Sequence, residues 1–337
     1  MLPSSDLADA AVASGPAPAR RGPLSSAIGW LRAHRAAGIV VILVLLPLFV
    51  PPTAQYNTDL WASTAIMALS VVIVTGASGQ VTLGHAGLMA VGAYGAAIAA
   101  TQWGMPQPIP LLVAIVLATA IGMLLAVACL RLHGIYLAVV TLAFGWAVPE
   151  LALKFEGVTG GYQGVFTKPV AIGGFSLSSG LGGVYFGVAG VVVAYLIAHN
   201  MLSGWSRLNV LAVKQSEALA GAFGVAPARQ RVWAFAVSSV LAGVAGYVYA
   251  FTVGAVTPSS FSFDNSVAFL AAAVIGGVTS PIGALLGAAF VSIVPHVLAS
   301  DAQVSSLVYG ALLFGVIALR GALRRLSAAR RVETEQR

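Results

Sequence analysis

Few side chains in this sequence are equipped for chemistry, so their positions matter more than their number. Of 337 residues, 59% are hydrophobic and 8% charged, and an ionisable group inside an apolar run is costly enough to be a functional candidate by default. His85 follows the polar break "SGQVTLG". It has two readings: a group lining a cavity, or a hydrogen-bonded residue at a helix start. Glu150 follows Pro149 near the end of its apolar run, and His199 and His296 also sit near run ends, as interfacial groups would. Asp264, just before "NSVAFL", fits a helix N-cap better than a ligand. These residues do not form the chain of buried Asp, Glu and His expected of a proton relay. None of the three lysines follows a glycine, which excludes a GxxxxGK(S/T) phosphate loop. There is no Cys/His cluster with metal-ligand spacing and no GxSxG or HExxH constellation, so nothing supports an intramembrane enzyme.

Backbone offers more than side chains do. Two breaks, "TGASGQVTLGHAG" and "GGVTSPIGA", place Gly, Ser, Thr and Gln inside apolar sequence. Non-helical backbone survives at membrane depth only where protein or a water-filled cavity satisfies it. Discontinuous helices can offer N-termini to a carboxylate and carbonyls to an ammonium, which suits a zwitterion without any charged side chain. Ser78, Gly79, Gln80, Thr82, Gly84 and His85 in the first break, and Gly276, Gly277, Thr279 and Ser280 in the second, are therefore the candidates for a translocation pathway. The other reading of each break is a tight interhelical turn of small packing residues. Gly79–Ala90 and Gly276–Gly287 share Gly, Val, Thr and Leu positions at an offset of 197 residues. This is either an internal repeat of the kind common in transporters or a coincidence of composition.

The elements that must carry these residues follow from hydropathy. A soluble protein has about 25% charged residues, so this chain belongs to the membrane class. Runs near 37–53, 60–77, 85–101, 109–130, 135–153, 181–202, 232–253, 265–278, 283–299 and 304–320 have the length or near-length of membrane spans. The expectation is an all-α integral membrane protein, a polytopic helical bundle of about ten segments. Segments 265–278 and 283–299 are short enough to be half-helices or tilted pieces. Small residues, including 38 glycines, allow close helix approach in lipid. Cys129 lies within an apolar run and has no second cysteine to pair with; it is expected to be a buried thiol.

Residues 1–35 are expected to form a disordered basic cytoplasmic tail, followed by a transmembrane domain over 36–321 and a basic tail over 322–337. No small-residue cleavage pattern closes the first apolar run, so it does not look like a signal peptide. Alternating the spans from a cytoplasmic N-terminus puts fifteen of the 17 Lys and Arg residues inside and leaves only Lys154 and Lys168 outside. That bias orients the chain with both termini in the cytoplasm. The same distribution argues against nucleic acid, since positive charge flanks spans rather than forming a patch with aromatics. Two polar stretches remain. The outside one, 154–180, is glycine-rich and reads as irregular loop. The inside one, 204–231, contains "KQSEALAGAFG", in which Leu219, Ala222 and Phe223 form one apolar edge of a short helix stopped by Gly224 and Pro227. Such a helix is a membrane-surface connector or a docking helix for a cytoplasmic partner.

Several stretches together resemble one family. "SEALAGAFGV" (Ser216–Val225) resembles the EAA coupling loop of ABC importer permeases, with Glu217, Ala218, Ala220 and Gly224 on its positions. "LRLHGIYLAVVTLAFG" (Leu130–Gly145), "SGQVTLGHAGLMAVGAYGAA" (Ser78–Ala97), "VTGGYQGV" (Val158–Val165) and "IGGVTSPIGALLGAA" (Ile275–Ala289) are similar to signatures of the LivM-type permeases of branched-chain amino-acid transporters. His133 departs from an Arg frequent in that family, and Thr279 from a Gly. The resemblance implies a permease subunit in the bacterial inner membrane that imports branched-chain amino acids. Urea, short amides or aromatic acids are the alternative cargo, and a self-sufficient secondary transporter is the competing class. It further implies pairing with a second, LivH-like permease, two cytoplasmic ATPases that bind the ATP and Mg, and a periplasmic substrate-binding protein, with no cofactor in this chain. Glu217, Ala218, Leu219, Ala220, Phe223 and Gly224 would contact the ATPases, and Thr159, Gly160, Gly161 and Gly164 belong to the outside "TGGxxG" loop.

Overall fold

The computed structural model describes residues 37–49, 51, 55–128, 130, 132, 134–168, 171–172, 175–176, 180–203, 221, 226–297, 310–311, 314–315 and 318. Glu217, Ala218, Leu219, Ala220, Phe223 and Gly224, both terminal tails, Cys129, and most of the 304–320 segment lie outside these residues. The chain forms two compact units divided after Ile42. In the first, residues 37–42 are helical. The second, from Leu43, contains all the elements that follow.

Apolar runs become helices because lipid leaves no other way to satisfy a single segment's backbone. They are α1 (Gln55–Ser78), α2 (His85–Thr101), α3 (Ile109–Ala128), α4 (Ile135–Lys154), a one-turn α5 (Glu156–Thr159), α6 (Gly180–Leu202), α7 (Pro227–Val253), α8 (Phe263–Gly276) and α9 (Pro281–Val297). Six described helical stretches are long and apolar enough to cross a membrane, and α2 and α9 are shorter apolar helices. Proline opens α7 and α9, where its missing N–H costs nothing. Gly254, at φ 80°, ends α7. Ser262 is the N-cap of α8, and Asp264 falls inside its first turn, where its charge favours the helix dipole. The N-cap expected at Asp264 is therefore two residues earlier.

α1 is the central helix: beyond Asp59 nearly every residue is buried. Around it, helices meet through small residues, as they do where lipid removes any hydrophobic drive for association. Gly92 of α2 lies on Gly243 of α7, and Gly246 lies on the Met89 carbonyl. α3 buries Ala114, Ala118, Gly122 and Ala126, a four-residue spacing that makes one stripe; Gly243 abuts the Ala114 backbone and Gly122 abuts Ser239. Between α8 and α9, Gly276 packs on Gly283 and Gly287 on Ala272, backbone to backbone.

These contacts fix direction. Ser70 meets Ser238 and Val74 meets Phe235, so α1 and α7 are antiparallel. Gly187 meets Ala62 and Gly76 meets Leu202, so α6 is parallel to α1. Gly84 meets Thr141 and Gly87 meets Gly145, so α4 is parallel to α2. The α8–α9 hairpin sets α9 antiparallel to α1, through Gly76 on Val278 and Trp61 Nε1 on the Leu285 carbonyl. Thus α1, α6 and α8 run one way, and α7 and α9 the other.

The 154–180 stretch is more ordered than an irregular loop. It contains α5 and strands β1 (Val165–Phe166), β2 (Ala171–Ile172) and β3 (Phe175–Ser176). β2 and β3 form an antiparallel pair. β1 pairs antiparallel with β4 (Ala255–Val256), just after α7. Two-residue strands are too short to leave an alternating pattern, and the partner of β1 lies on another connection, so neither was visible in the local sequence.

Candidate functional site

α1 ends at Ser78, whose hydroxyl donates to the Val74 carbonyl at 2.6 Å and accepts from Gln80 N at 3.4 Å. Gly79 then takes φ 71°, the left-handed region open to glycine, and the chain turns back into the bundle. α2 begins at His85, beside Ser70 and Ser238. Ser70 lies eight residues before the end of α1, about 12 Å along its axis, so α2 starts inside the bundle rather than at its edge.

That start is held by hydroxyls from four helices. His85 is 1% exposed. Its Nδ1 is 3.3 Å from Thr82 Oγ1 and its Nε2 is 2.8 Å from Ser238 Oγ. Ser70 Oγ is 2.8 Å from Ser238 Oγ and donates to the Ser238 carbonyl at 2.9 Å. An imidazole with one N–H and one lone pair satisfies both neighbours. Three backbone donors are also paired with hydroxyls: Leu83 N with Thr141 Oγ1 at 3.1 Å, Gly84 N with Thr82 Oγ1 at 3.5 Å, and Ala86 N with Ser266 Oγ at 3.2 Å. Gly84 must be glycine because a Cβ would lie 2.5 Å from the Thr141 carbonyl oxygen. In this conformation the helix start is sealed by protein, and His85 is enclosed rather than lining an open cavity.

The second break is tighter. Gly277, at φ 101°, reverses the chain; Ser280 N bonds the Gly277 carbonyl at 2.8 Å, and Ser280 Oγ accepts from Gly283 N at 3.1 Å. Gly276 and Gly277 are buried and Thr279 is exposed. Here the turn of small packing residues is what the backbone adopts. The two breaks occur at matching places in a helix–break–helix unit, α1–α2 and α8–α9, within one residue of the 197-residue offset. They also come together: a Cβ on Gly76 would lie 2.9 Å from both the Val278 carbonyl oxygen and Leu202 Cδ2. Leu202 is the last residue of α6, two residues before the 204–231 segment begins.

Away from the breaks, the Thr159 hydroxyl bonds the Ala152 carbonyl at 2.5 Å and the Phe155 carbonyl at 2.9 Å. Gly160, Gly161 and Gly164 all have positive φ. Glu150 is exposed on α4, and His199 stacks on Tyr195 with centroids 5.8 Å apart. The structure also reveals a residue that hydropathy reading missed. Asp59 is 5% exposed and its Oδ1 has no hydrogen-bond partner among the described residues. It lies just outside the run read from residue 60, whereas α1 begins at Gln55. No group of three metal-ligating side chains occurs among the described residues.

A family model described as branched-chain amino acid transport system / permease component matches residues 60–317. The chain belongs to that permease family. The permease is 32% identical over 299 residues to the high-affinity branched-chain amino acid transport system permease protein LivM of Salmonella typhimurium, covering 82% of this chain and 70% of that one. It is 30% identical to LivM of Escherichia coli over the same shares. A weaker likeness, 32% over 150 residues and 40% of the chain, links it to the autoinducer 2 import system permease protein LsrC of an Enterobacter species. No solved structure matches it. As a permease component it is a multi-pass membrane protein and not itself an enzyme, and its family implies partner subunits.

Proposed function

We propose that this permease is the membrane-spanning subunit of an ATP-driven importer that carries branched-chain amino acids into the bacterial cytoplasm. About ten segments cross or enter the inner membrane, with both termini cytoplasmic. A second permease, two ATPases that hold the ATP and Mg, and a periplasmic binding protein complete the machine. The helix directions and the fifteen-to-two charge count together favour putting both breaks at the cytoplasmic end.

The observation that carries the reading is the meeting of Gly76, Val278 and Leu202. The first break, at Gly76, meets both the second break, at Val278, and Leu202, the last residue of α6 before the 204–231 segment. A short helix in that segment, with Leu219 and Phe223 as anchors beside Glu217, Ala218, Ala220 and Gly224, is suited to a groove on an ATPase. Movement of that helix when the ATPases close would act first on α6 and α7, and through Leu202 on Gly76, where the first break meets the second. Alternating access then follows from displacement of packed helices. Ser78, Gly79, Gln80, Thr82 and Gly84 with His85, and Gly276, Gly277, Thr279 and Ser280, are the moving parts of the pathway.

The test is uptake by proteoliposomes holding the complete complex and its binding protein. Labelled leucine, isoleucine and valine should enter only with ATP inside, and ionophores should leave uptake intact. Uptake that collapses with ionophores and persists without the ATPases would refute the reading in favour of a secondary transporter. Uptake of urea, an amide or an aromatic acid in place of leucine would keep the machine and change its cargo.

A further inference from the structure

At the end of α4 remote from the breaks, Glu150 and Lys154 stand one helical turn apart, both exposed. Residues so spaced have Cβ atoms about 5–6 Å apart and commonly bridge each other. Here neither makes an ion pair with the other or with any described residue. Instead they line an open surface depression of about 520 Å³ with Ala147, Leu151, Leu153 and Tyr162.

Tyr162 is 86% exposed, yet its backbone is fixed. Thr159 ties the turn back to the Ala152 and Phe155 carbonyls. Gly160 and Gly161 take φ 71° and 55°, and a Cβ on Gly160 would strike the Gly164 carbonyl. Gly164, at φ 72°, lies so close to the Val256 carbonyl that no side chain fits. Beyond it β1 pairs with β4, and Thr167 bonds Gly254 O through its backbone and Ala250 O through its hydroxyl, at 3.0 and 2.6 Å. A loop that only linked two spans would not need three left-handed glycines and these ties. They hold an aromatic ring beside a carboxylate and an ammonium that have no ion-pair partner among the described residues.

We propose that this depression is a reception site for a zwitterionic α-amino acid: Glu150 takes the α-ammonium, Lys154 the α-carboxylate, and Tyr162 with Leu151 and Ala147 cover the side chain. The inference rests on the import reading above and adds to it a place where cargo first meets the permease. Opposite charges a turn apart match a molecule whose own opposite charges share one carbon, and charge-assisted hydrogen bonds to both give orientation. The site is on the helix whose Thr141 and Gly145 hold the first break, so an occupied site and the pathway share one helix.

The test uses the complete complex, without binding protein, in nanodiscs of phosphatidylcholine, with binding of L-leucine, isocaproate and isopentylamine followed by saturation-transfer NMR. Glu150→Gln should weaken leucine about tenfold, the loss of one charge-assisted contact, and leave isocaproate, which lacks the ammonium, unchanged. Lys154→Met should weaken leucine similarly and leave isopentylamine unchanged. Variants that bind all three probes as the parent does would overturn the site, as would equal losses for every probe, the mark of a structural role. Displacement of leucine by phosphatidylethanolamine added to the nanodisc would also overturn it, by assigning the depression to a lipid headgroup. Failure of the parent complex to import leucine at all is a separate result and refutes the function rather than the site.

Discussion

Replacing Ser238 with alanine tests the hydroxyl chain that seals the start of α2. Ser238 Oγ is 2.8 Å from both His85 Nε2 and Ser70 Oγ, and all three residues are 1% exposed or less. At that burial bulk solvent does not reach the position of the lost hydroxyl. Ser70 keeps the Ser238 carbonyl at 2.9 Å, so only the imidazole nitrogen is stranded. An interhelical hydrogen bond in a membrane protein contributes about 0.6 kcal/mol on average and ~1.7 at most, while a stranded buried polar group costs about 1–3 kcal/mol. Ser238→Ala should therefore destabilise the permease by about 1–2 kcal/mol, and Ser70→Ala by about 0.6 kcal/mol, since His85 keeps its partner. The assay is reversible unfolding of the purified permease in mixed micelles of increasing SDS fraction, followed by tryptophan fluorescence. A Ser238→Ala change within about 0.3 kcal/mol of zero, well under the range for a stranded polar group, would refute the chain. A Ser238→Thr variant as damaged as the alanine would show that volume, not the hydroxyl, matters at this position.

Other consequences are as direct. Gly283→Leu should force α8 and α9 apart, because Gly276 already touches Gly283 backbone to backbone; overpacking of this kind costs about 1–3 kcal/mol or prevents folding, read in the same micelle assay. Gly164→Ala should expose the loop around Tyr162 to limited proteolysis, since the new methyl meets the Val256 carbonyl at a positive φ; an unchanged cleavage pattern would count against a fixed turn. Glu217→Arg and Gly224→Trp should abolish co-purification of the ATPases while the permease still inserts, and Phe223→Ala should weaken that contact by about 1–3 kcal/mol, as a modest buried anchor does. Intact co-purification of both charged and bulky variants would remove the docking role from 204–231.

Much of the helical layout was legible because a span must be apolar along its whole length and lipid allows it little besides a helix. The runs read as 85–101 and 135–153 became His85–Thr101 and Ile135–Lys154. Repeat-like sequence at an offset of 197 residues became two helix–break–helix units. Backbone breaks were legible for the same reason: glycine and hydroxyl side chains interrupt an otherwise uniform solvent preference. Asp59 escaped because hydropathy placed the start of α1 a turn late, and a carboxylate just outside a span looks ordinary.

Hydropathy alone determined that this chain spans a membrane, where most of its helices lie, and which short stretches interrupt them. It did not determine which face of each helix meets which neighbour. In lipid every face is apolar, so α1, buried almost throughout, and α3, buried only along one stripe of small residues, look alike to a local reading. Tertiary structure decided that His85 is answered by Ser238, 153 residues away. It also brought Gly76 of the first break against Val278 of the second and against Leu202, and paired β1 with β4. Each of these depends on backbones approaching closely at glycines, a requirement that a count of glycines announces but only the packed bundle assigns.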